Sequence, residues 1–497
     1  FFSCPKSNNQ FLNENSALVL LRFKIDAFYY LYRQTHNTKY LKACYEHSKT
    51  AFEIWESFFS KLKTEEIHLA TEIYSAAPFI SSINICSEYY QLTKNKKIGE
   101  DVFTWMELNK YSVLVKQQLD NGSISFKTNP INITKIQSKL KQNQAIIEYY
   151  YGDGFDYTII TKDKFELYKL DLNCKINSKI DSLIMFLKKH DAEKYCIQSK
   201  VIYNLIFKPV QSNLNADINE LIIIPHGKLL NLPFDALITN NAKIYKDANF
   251  LIKQYQISYG LSCNLLFNST VNKPISFSSV SYINPVFNKQ LSLPFSNKLT
   301  NKIKEDFPSQ SFNYTSETSC SILHIATHAY CDYDNSRNSY LLLNQNEKLY
   351  LRDLKNKIPS KPLAVLSACE TGNVTIEQGE GVVNFSRQFY LAGIKSTITT
   401  LWKVDDEATS GILKEFYNEL QNGNNSIEAL HKSKLNYLLN AKSVDDFDPY
   451  YWSGIIYTGN PVVYEKKTNC KWIWFTFASL PLLGGLLFAF RKKLFRN

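Results

Sequence analysis

Beyond residue 140 the chain alternates two kinds of segment, and this alternation limits its fold more than any other feature. Ala145–Tyr151, Tyr157–Thr161 and Phe165–Leu170 are short runs of β-branched and aromatic residues separated by Gly, Asp and Lys turns. Leu221–Ile224 is wholly apolar and stops at Pro225, and Ser321–Thr327, Leu363–Ser367 and Ser396–Leu401 are further strand-like runs. Apolar runs bounded by turns suit strands buried on both faces of a parallel sheet. Between them the period changes to that of a helix: Ile197, Val201 and Leu205; then Val382, Phe385 and Phe389; then Ala408, Ile412, Phe416 and Leu420. Strands alternating with helices predict an α/β open sheet with helices on both faces. In such sheets reactive groups gather beyond the carboxyl ends of the strands.

Residues 10–120 differ. They are poor in Gly and Pro, and apolar residues recur at helical spacing in Tyr45, Phe52, Trp55 and Phe59, then in Val102, Met106, Val113 and Leu119. The stretches from Tyr40 and from Ile98 share a layout of small or short apolar residues followed by aromatics along one face. This is the layout of degenerate tetratricopeptide repeats, helix pairs of about 34 residues, and equally of an ordinary helical bundle. A stacked array would offer a concave surface to a partner protein. Residues 121–134 lack a helical period and join the two regions.

The net charge of +11 suggests nucleic acid until it is located. Residues 491–497 carry +4 and residues 465–471 carry +2, which leaves +5 for the first 464 residues. Only seven of the 57 basic residues are Arg, the preferred phosphate and base reader. No nucleic-acid partner is expected. Between Lys471 and Arg491 lie nineteen uncharged residues, about 28 Å of helix, with Trp472 and Trp474 at one end and basic residues on both sides. A single transmembrane helix is expected there, a buried terminal helix being the other reading. The larger tail charge favours a cytoplasmic C-terminus, although a tail anchor would reverse that, so the side occupied by the body stays open. Ten cysteines without regular spacing do not form a disulfide scaffold.

Two residues end strands where chemistry is expected. His328 follows SILHIAT and Cys369 follows LAVLSA. If these strands are parallel neighbours, both side chains emerge at one edge, where an imidazole can activate a thiol and backbone N–H groups can hold an oxyanion. Cys320, His324, His328 and Cys331 have the look of zinc ligands, but strand residues four apart are about 13 Å apart, too far for one tetrahedral ion.

HIATHAYCD, VLSACETG, EGVVNFSRQFYLAGIKSTITTLWKVDDEAT and PYYWSGIIYTGNP, in that order, resemble the CHAT peptidase family, caspase-like cysteine peptidases related to separase. LIIIPHGKLLNLPFDALI and LIKQYQISYGLS are similar to its N-terminal half, so the resemblance spans roughly residues 140–464. It implies a caspase-like sheet, His328 as base and Cys369 as nucleophile, and no metal or organic cofactor. The N–H groups of Ala329 and Cys369 become the oxyanion donors. Gly often stands where Ala329 does, and Ala tolerates a positive φ poorly. His324 is expected to be structural. By analogy with separases, Asp406 in LWKVDD, with Asp405 beside it, would select a basic residue before the cut, because a carboxylate pairs well with Arg or Lys. The opposing reading makes both helix caps. Glu370 is expected to bond local backbone, and Glu377–Gly381 to border the site. The family often carries tetratricopeptide repeats ahead of this domain.

The expected organisation is a helical repeat region at 1–125, a linker at 126–140, the two halves of the CHAT domain at 141–300 and 301–464, and a membrane helix with basic tail at 465–497. The expected activity is a cysteine endopeptidase acting on a protein or peptide substrate. The alternative is an inactive, membrane-anchored scaffold whose helices bind a partner protein.

Overall fold

A computed structural model describes residues 6–465 except 62–76, 121–131, 153, 171–175, 268–273, 276, 278, 286, 288–291, 313–319, 331–338, 345–346, 359–360, 368–374, 378–380 and 384. The described residues of the N-terminal region form two helical hairpins, α1 (Lys6–Thr35) with α2 (Thr38–Lys61), and α3 (Ala77–Thr93) with α4 (Lys96–Asp120). Both hairpins turn in the same way. Thr35 and Thr93 each bond back to the carbonyl four residues earlier, at Leu31 and Tyr89. His36 and Lys94 follow with φ of 51° and 50°. Asn37 and Asn95 then cap the next helix by accepting from the N–H of Lys39 and Lys97, at 3.1 and 2.9 Å. The shared layout noted from Tyr40 and Ile98 therefore marks a real repeat of helical hairpins. Each helix is long for a tetratricopeptide unit: α1 has 30 residues and α2 has 24, against about 34 for a whole helix pair.

The rest of the described chain is built on one eleven-stranded sheet, in the order β3-β2-β1-β4-β5-β16-β15-β12-β8-β6-β7. Its strands are β1 (Gln144–Tyr151), β2 (Phe155–Thr161), β3 (Phe165–Leu170), β4 (Glu220–Ile224), β5 (Gln256–Tyr259), β6 (Val280–Ile283), β7 (Ser309–Ser311), β8 (Ile322–Ile325), β12 (Leu363–Leu366), β15 (Thr397–Thr400) and β16 (Ile455–Thr458). β1, β4, β5 and β16 run parallel, while β15 meets β16 antiparallel. β15, β12, β8, β6 and β7 are again mutually parallel. The two halves thus point opposite ways, and the carboxyl ends of β6, β8, β12 and β15 share one edge. β6 lies between β8 and β7.

Strands buried on both faces explain the apolar runs. Ile322, Leu363 and Val365 join the core that includes α10 (Asp406–Gln421) and α11 (Ser426–Leu439). Leu323, Ile325, Ala364 and Leu366 face a second core with α9 (Phe385–Leu391). The expected helical face of Ala408, Ile412, Phe416 and Leu420 is buried in α10. Val382 instead belongs to a short hairpin, β13 (Thr375–Glu377) with β14 (Gly381–Val383), and α9 starts only at Phe385. The remaining helices of the sheet domain include α5 (Ile176–Lys188), α6 (Ala192–Ile202), α7 (Cys263–Phe267) and α8 (Pro294–Asp306).

The helical hairpins sit against the sheet through apolar and polar contacts. Phe103 of α4 packs with Ile146 and Ile160. Ser87 of α3 donates to Asp156 of β2 at 2.7 Å, and Asn84 donates to the same carboxylate. Lys110 of α4 reaches Glu148 of β1 at 2.8 Å with both side chains buried. Among the described residues no helix is long and apolar enough to cross a membrane; the segment expected to do so, and its basic tail, lie outside them.

Candidate active site

β8 and β12 are parallel neighbours in a register that pairs Ile325 with Leu366. The Ser367 N–H extends that ladder, donating to the Ile325 carbonyl at 2.9 Å. Each candidate residue stands three positions past this rung: His328 after Ile325, Cys369 after Leu366. His328 is described. Cys369 and Glu370 lie outside the described residues, as does most of the loop around Glu377–Gly381.

Past β8 the chain enters a small sheet of β9 (Ala329–Tyr330), β10 (Tyr340–Leu342) and β11 (Lys348–Tyr350). The Thr327 hydroxyl donates to the Leu342 carbonyl, and the Leu342 N–H donates to the His328 carbonyl at 2.9 Å. This backbone clamp fixes the turn that presents His328. The ring is half-buried, edge-on to Phe287 with centroids 5.0 Å apart. Ala329 is paired with Leu341. Because the bond flanking that pair runs from Leu342 to His328, Ala329 occupies a non-hydrogen-bonded rung and its N–H points away from β10. Ala329 is not among the residues with positive φ, so Ala at this position meets no left-handed strain.

His324 lies in β8, fully buried, with Nδ1 3.0 Å from the Tyr417 hydroxyl. Loss of solvent lowers its pKa to about 4, so the ring is neutral. This is a core histidine.

Asp405 and Asp406 stand just past the carboxyl end of β15, on the same edge as His328. Asp405 caps its own helix, accepting from the Ala408 N–H at 2.8 Å. Asp406 caps a different one. Its carboxylate accepts from the N–H groups of Phe295 and Ser296, at 2.8 and 3.1 Å, and from the Ser296 hydroxyl, which joins α10 to the first turn of α8. Both carboxylates therefore do cap helices. Trp402, in the same LWKVDD stretch, is buried and donates from Nε1 to the Tyr450 carbonyl at 3.1 Å. Gly454 makes room for it: a Cβ there would lie 2.7 Å from the indole. The two stretches LWKVDD and PYYWSGIIY are thus one packed unit.

Sequence reasoning missed Phe287 and a buried cluster between α4 and the sheet. The Glu107 carboxylate accepts from the N–H groups of Cys263 and Asn264, at 2.8 and 2.7 Å, and Lys110 bridges Glu148 to the Tyr149 carbonyl. Ligand atoms of Glu107, Glu148 and Cys263 lie within 4.8 Å of one another. Metal is a poor fit, because Lys110 already supplies the cation and Glu107 is committed to backbone N–H groups. Burial, then the nearby Glu148 charge, raises the Glu107 pKa well above the usual carboxylate value. No local sequence signal marks this cluster, whose members come from three separate segments.

A two-way sheet with His328 just past one carboxyl edge, preceded by helical hairpins, defines an α/β domain of the caspase-like kind. Residues 197–460, more than half of the chain, match the CHAT domain, and the chain belongs to that family. No curated protein matches it. Its fold resembles two structures of the separase–securin complex of Saccharomyces cerevisiae. One matches at TM-score 0.50 and 11% identity over 91% of this chain and 40% of that one. The other matches at TM-score 0.49 and 11% identity over 85% and 38%. The chain spans about two-fifths of the separase-complex chains it matches, and the likeness is one of fold.

Proposed function

We propose that the protein is a cysteine endopeptidase in which Cys369 attacks the scissile carbonyl and His328 takes the thiol proton. The observation that carries the reading is the Ile325–Leu366 rung between adjacent parallel strands, which lies three positions before each of the two residues in the sequence. The Cys369 sulfur forms a thioester with the acyl carbon as the C–N bond breaks, and His328 returns its proton to the leaving amine. Water then hydrolyses the thioester, with His328 as base. The Ala329 N–H, directed out of its ladder, and the Cys369 N–H are the proposed oxyanion donors.

The proposed preference is for Arg or Lys before the cut, drawn by the negative charge of Asp405 and Asp406 at the same edge. Their capping bonds would hold that charge in place. The helical hairpins are proposed to receive a partner protein, and residues 472–490 to anchor the chain in a membrane. No metal or organic cofactor enters the proposed reaction.

The test is cleavage of Arg- and Lys-containing reporter peptides by the full chain and by its Cys369→Ala variant. Cleavage lost with the substitution supports the peptidase; cleavage in neither favours the inactive scaffold. Asp406→Asn keeps an acceptor for the α8 cap while removing charge. It should reduce the preference for basic over neutral residues about tenfold, and an unchanged preference would remove Asp406 from substrate selection.

A further inference from the structure

The small sheet that follows His328 has one covered face and one open face, and its register assigns them. Leu341 and Leu349 belong to the core that includes Leu323 and Ile325, and Ala329 packs against that core. Side chains alternate along a strand, so the opposite face carries Tyr330, Tyr340 and Tyr350. These three stand directly across from one another on β9, β10 and β11. The bond from the Leu342 N–H to the His328 carbonyl continues the β9–β10 ladder by one rung. His328 therefore lies on the open face as well, opposite Leu342 and two residues from Tyr330.

The three rings are ordered by their neighbours. Tyr330 stacks on Tyr340 with centroids 5.2 Å apart, and Tyr340 meets Tyr350 edge-on at 5.6 Å. The Lys348 ammonium lies 4.2 Å from the Tyr340 ring centroid, and the Arg352 guanidinium 4.5 Å from that of Tyr350. Cross-strand aromatic pairs stabilise a sheet by themselves. Here, however, the row is not sealed from water: Tyr330, at the end two residues from His328, is 50% exposed.

We propose that the row Tyr330–Tyr340–Tyr350 binds the segment of the substrate on the leaving-group side of the cut and favours apolar, above all aromatic, side chains there. The proposal rests on the peptidase reading. In that reading His328 hands its proton to the leaving amine, so the surface continuing from His328 meets the chain that begins with that amine. Three strands make the row roughly 10 Å long, which fits two alternate side chains of an extended peptide about 6.6 Å apart. Rings already held in place lose little freedom on binding, and tyrosine offers a broad, rigid contact with only two rotatable bonds.

Binding is measured by fluorescence anisotropy on the full chain carrying Cys369→Ala, so the result is independent of cleavage. The probes are pentapeptides with a free amino terminus, Ala alternating with either Phe or Ser, and fluorescein at the carboxyl end. The Phe probe should bind about tenfold more tightly than the Ser probe. Tyr330→Ser should reduce that ratio to about threefold or less, whereas Tyr330→Phe, which keeps the ring, should retain it. Tyr350→Ser, at the far end of the row, should lower the ratio too, so the test does not depend on one variant folding. Equal binding of the two probes by the Cys369→Ala chain, or a preference for Phe that survives both serine variants, would overturn the proposal. Selective binding that the serine variants lose, without cleavage of any reporter by the parent chain, would support the aromatic row and remove the peptidase reading instead.

Discussion

Asp156 is the strongest test of how the helical hairpins are held to the sheet. It is fully buried in β2, and its carboxylate accepts from Ser87 and Asn84 of α3. Burial raises its pKa from 3.8 to about 7, against the lowering pull of the Ser87 hydrogen bond and the Lys169 charge. A folded pKa above the unfolded one means that stability present below pH 3.8 is lost as pH rises through 7. The difference is roughly three units, or about 4 kcal/mol above pH 7, of which about 1.6 kcal/mol is already lost at pH 5. Asp156→Asn removes the titration and costs about 1 kcal/mol for one rearranged hydrogen bond. The variant should therefore be more stable than the parent by about 3 kcal/mol at pH 8, and by under about 1 kcal/mol at pH 5. Urea unfolding at the two pH values measures this. A difference between variant and parent that is the same at both would refute the claim that Asp156 folds with a raised pKa.

Two further perturbations probe other contacts. Lys110→Met removes the cation paired with Glu148 in the buried cluster that also holds Glu107, and should cost about 3–5 kcal/mol by urea unfolding at pH 8. Because the Glu107 pKa is already raised, protonation relieves the loss, so the cost should shrink toward pH 5; a cost under about 1 kcal/mol would mean the cluster does not hold α4 to the sheet. Gly454→Ala drives a Cβ to 2.7 Å from Trp402 and should lower stability by about 1–3 kcal/mol, read from the urea midpoint; no change would mean that the indole has room to move.

The sheet was readable where burial on both faces leaves a continuous apolar run, as in Leu221–Ile224 and Leu363–Leu366, and α10 where one face repeats every four residues. Val382 misled because its spacing to Phe385 and Phe389 fits a helix as well as a hairpin strand followed by one. β9 and β10 are two and three residues long, too short to show a period. The helical repeat was visible in Tyr40–Trp55 and Ile98–Val115, but its length was not, because helix pairs of any length share that local pattern. At the candidate site, two strand-like runs ending shortly before His328 and Cys369 were legible, whereas their parallel adjacency depends on pairing across about forty positions, which no local pattern encodes. The Phe287 ring beside His328 and the reach of Asp406 to the start of α8 depend on contacts across 41 and 110 positions, which no local pattern encodes.

The dyad itself is tested most directly by the rate at which iodoacetamide alkylates Cys369 as pH is varied, followed by peptide mass spectrometry in the parent and in His328→Ala. Cys44, Cys86, Cys196 and Cys263 are buried with raised pKa values and should react slowly. Activation by His328 predicts that Cys369 reacts fastest, with a midpoint below the ordinary thiol value of about 8.5, and that His328→Ala slows it and returns the midpoint to that value. The same rate and midpoint in both proteins would contradict the pairing.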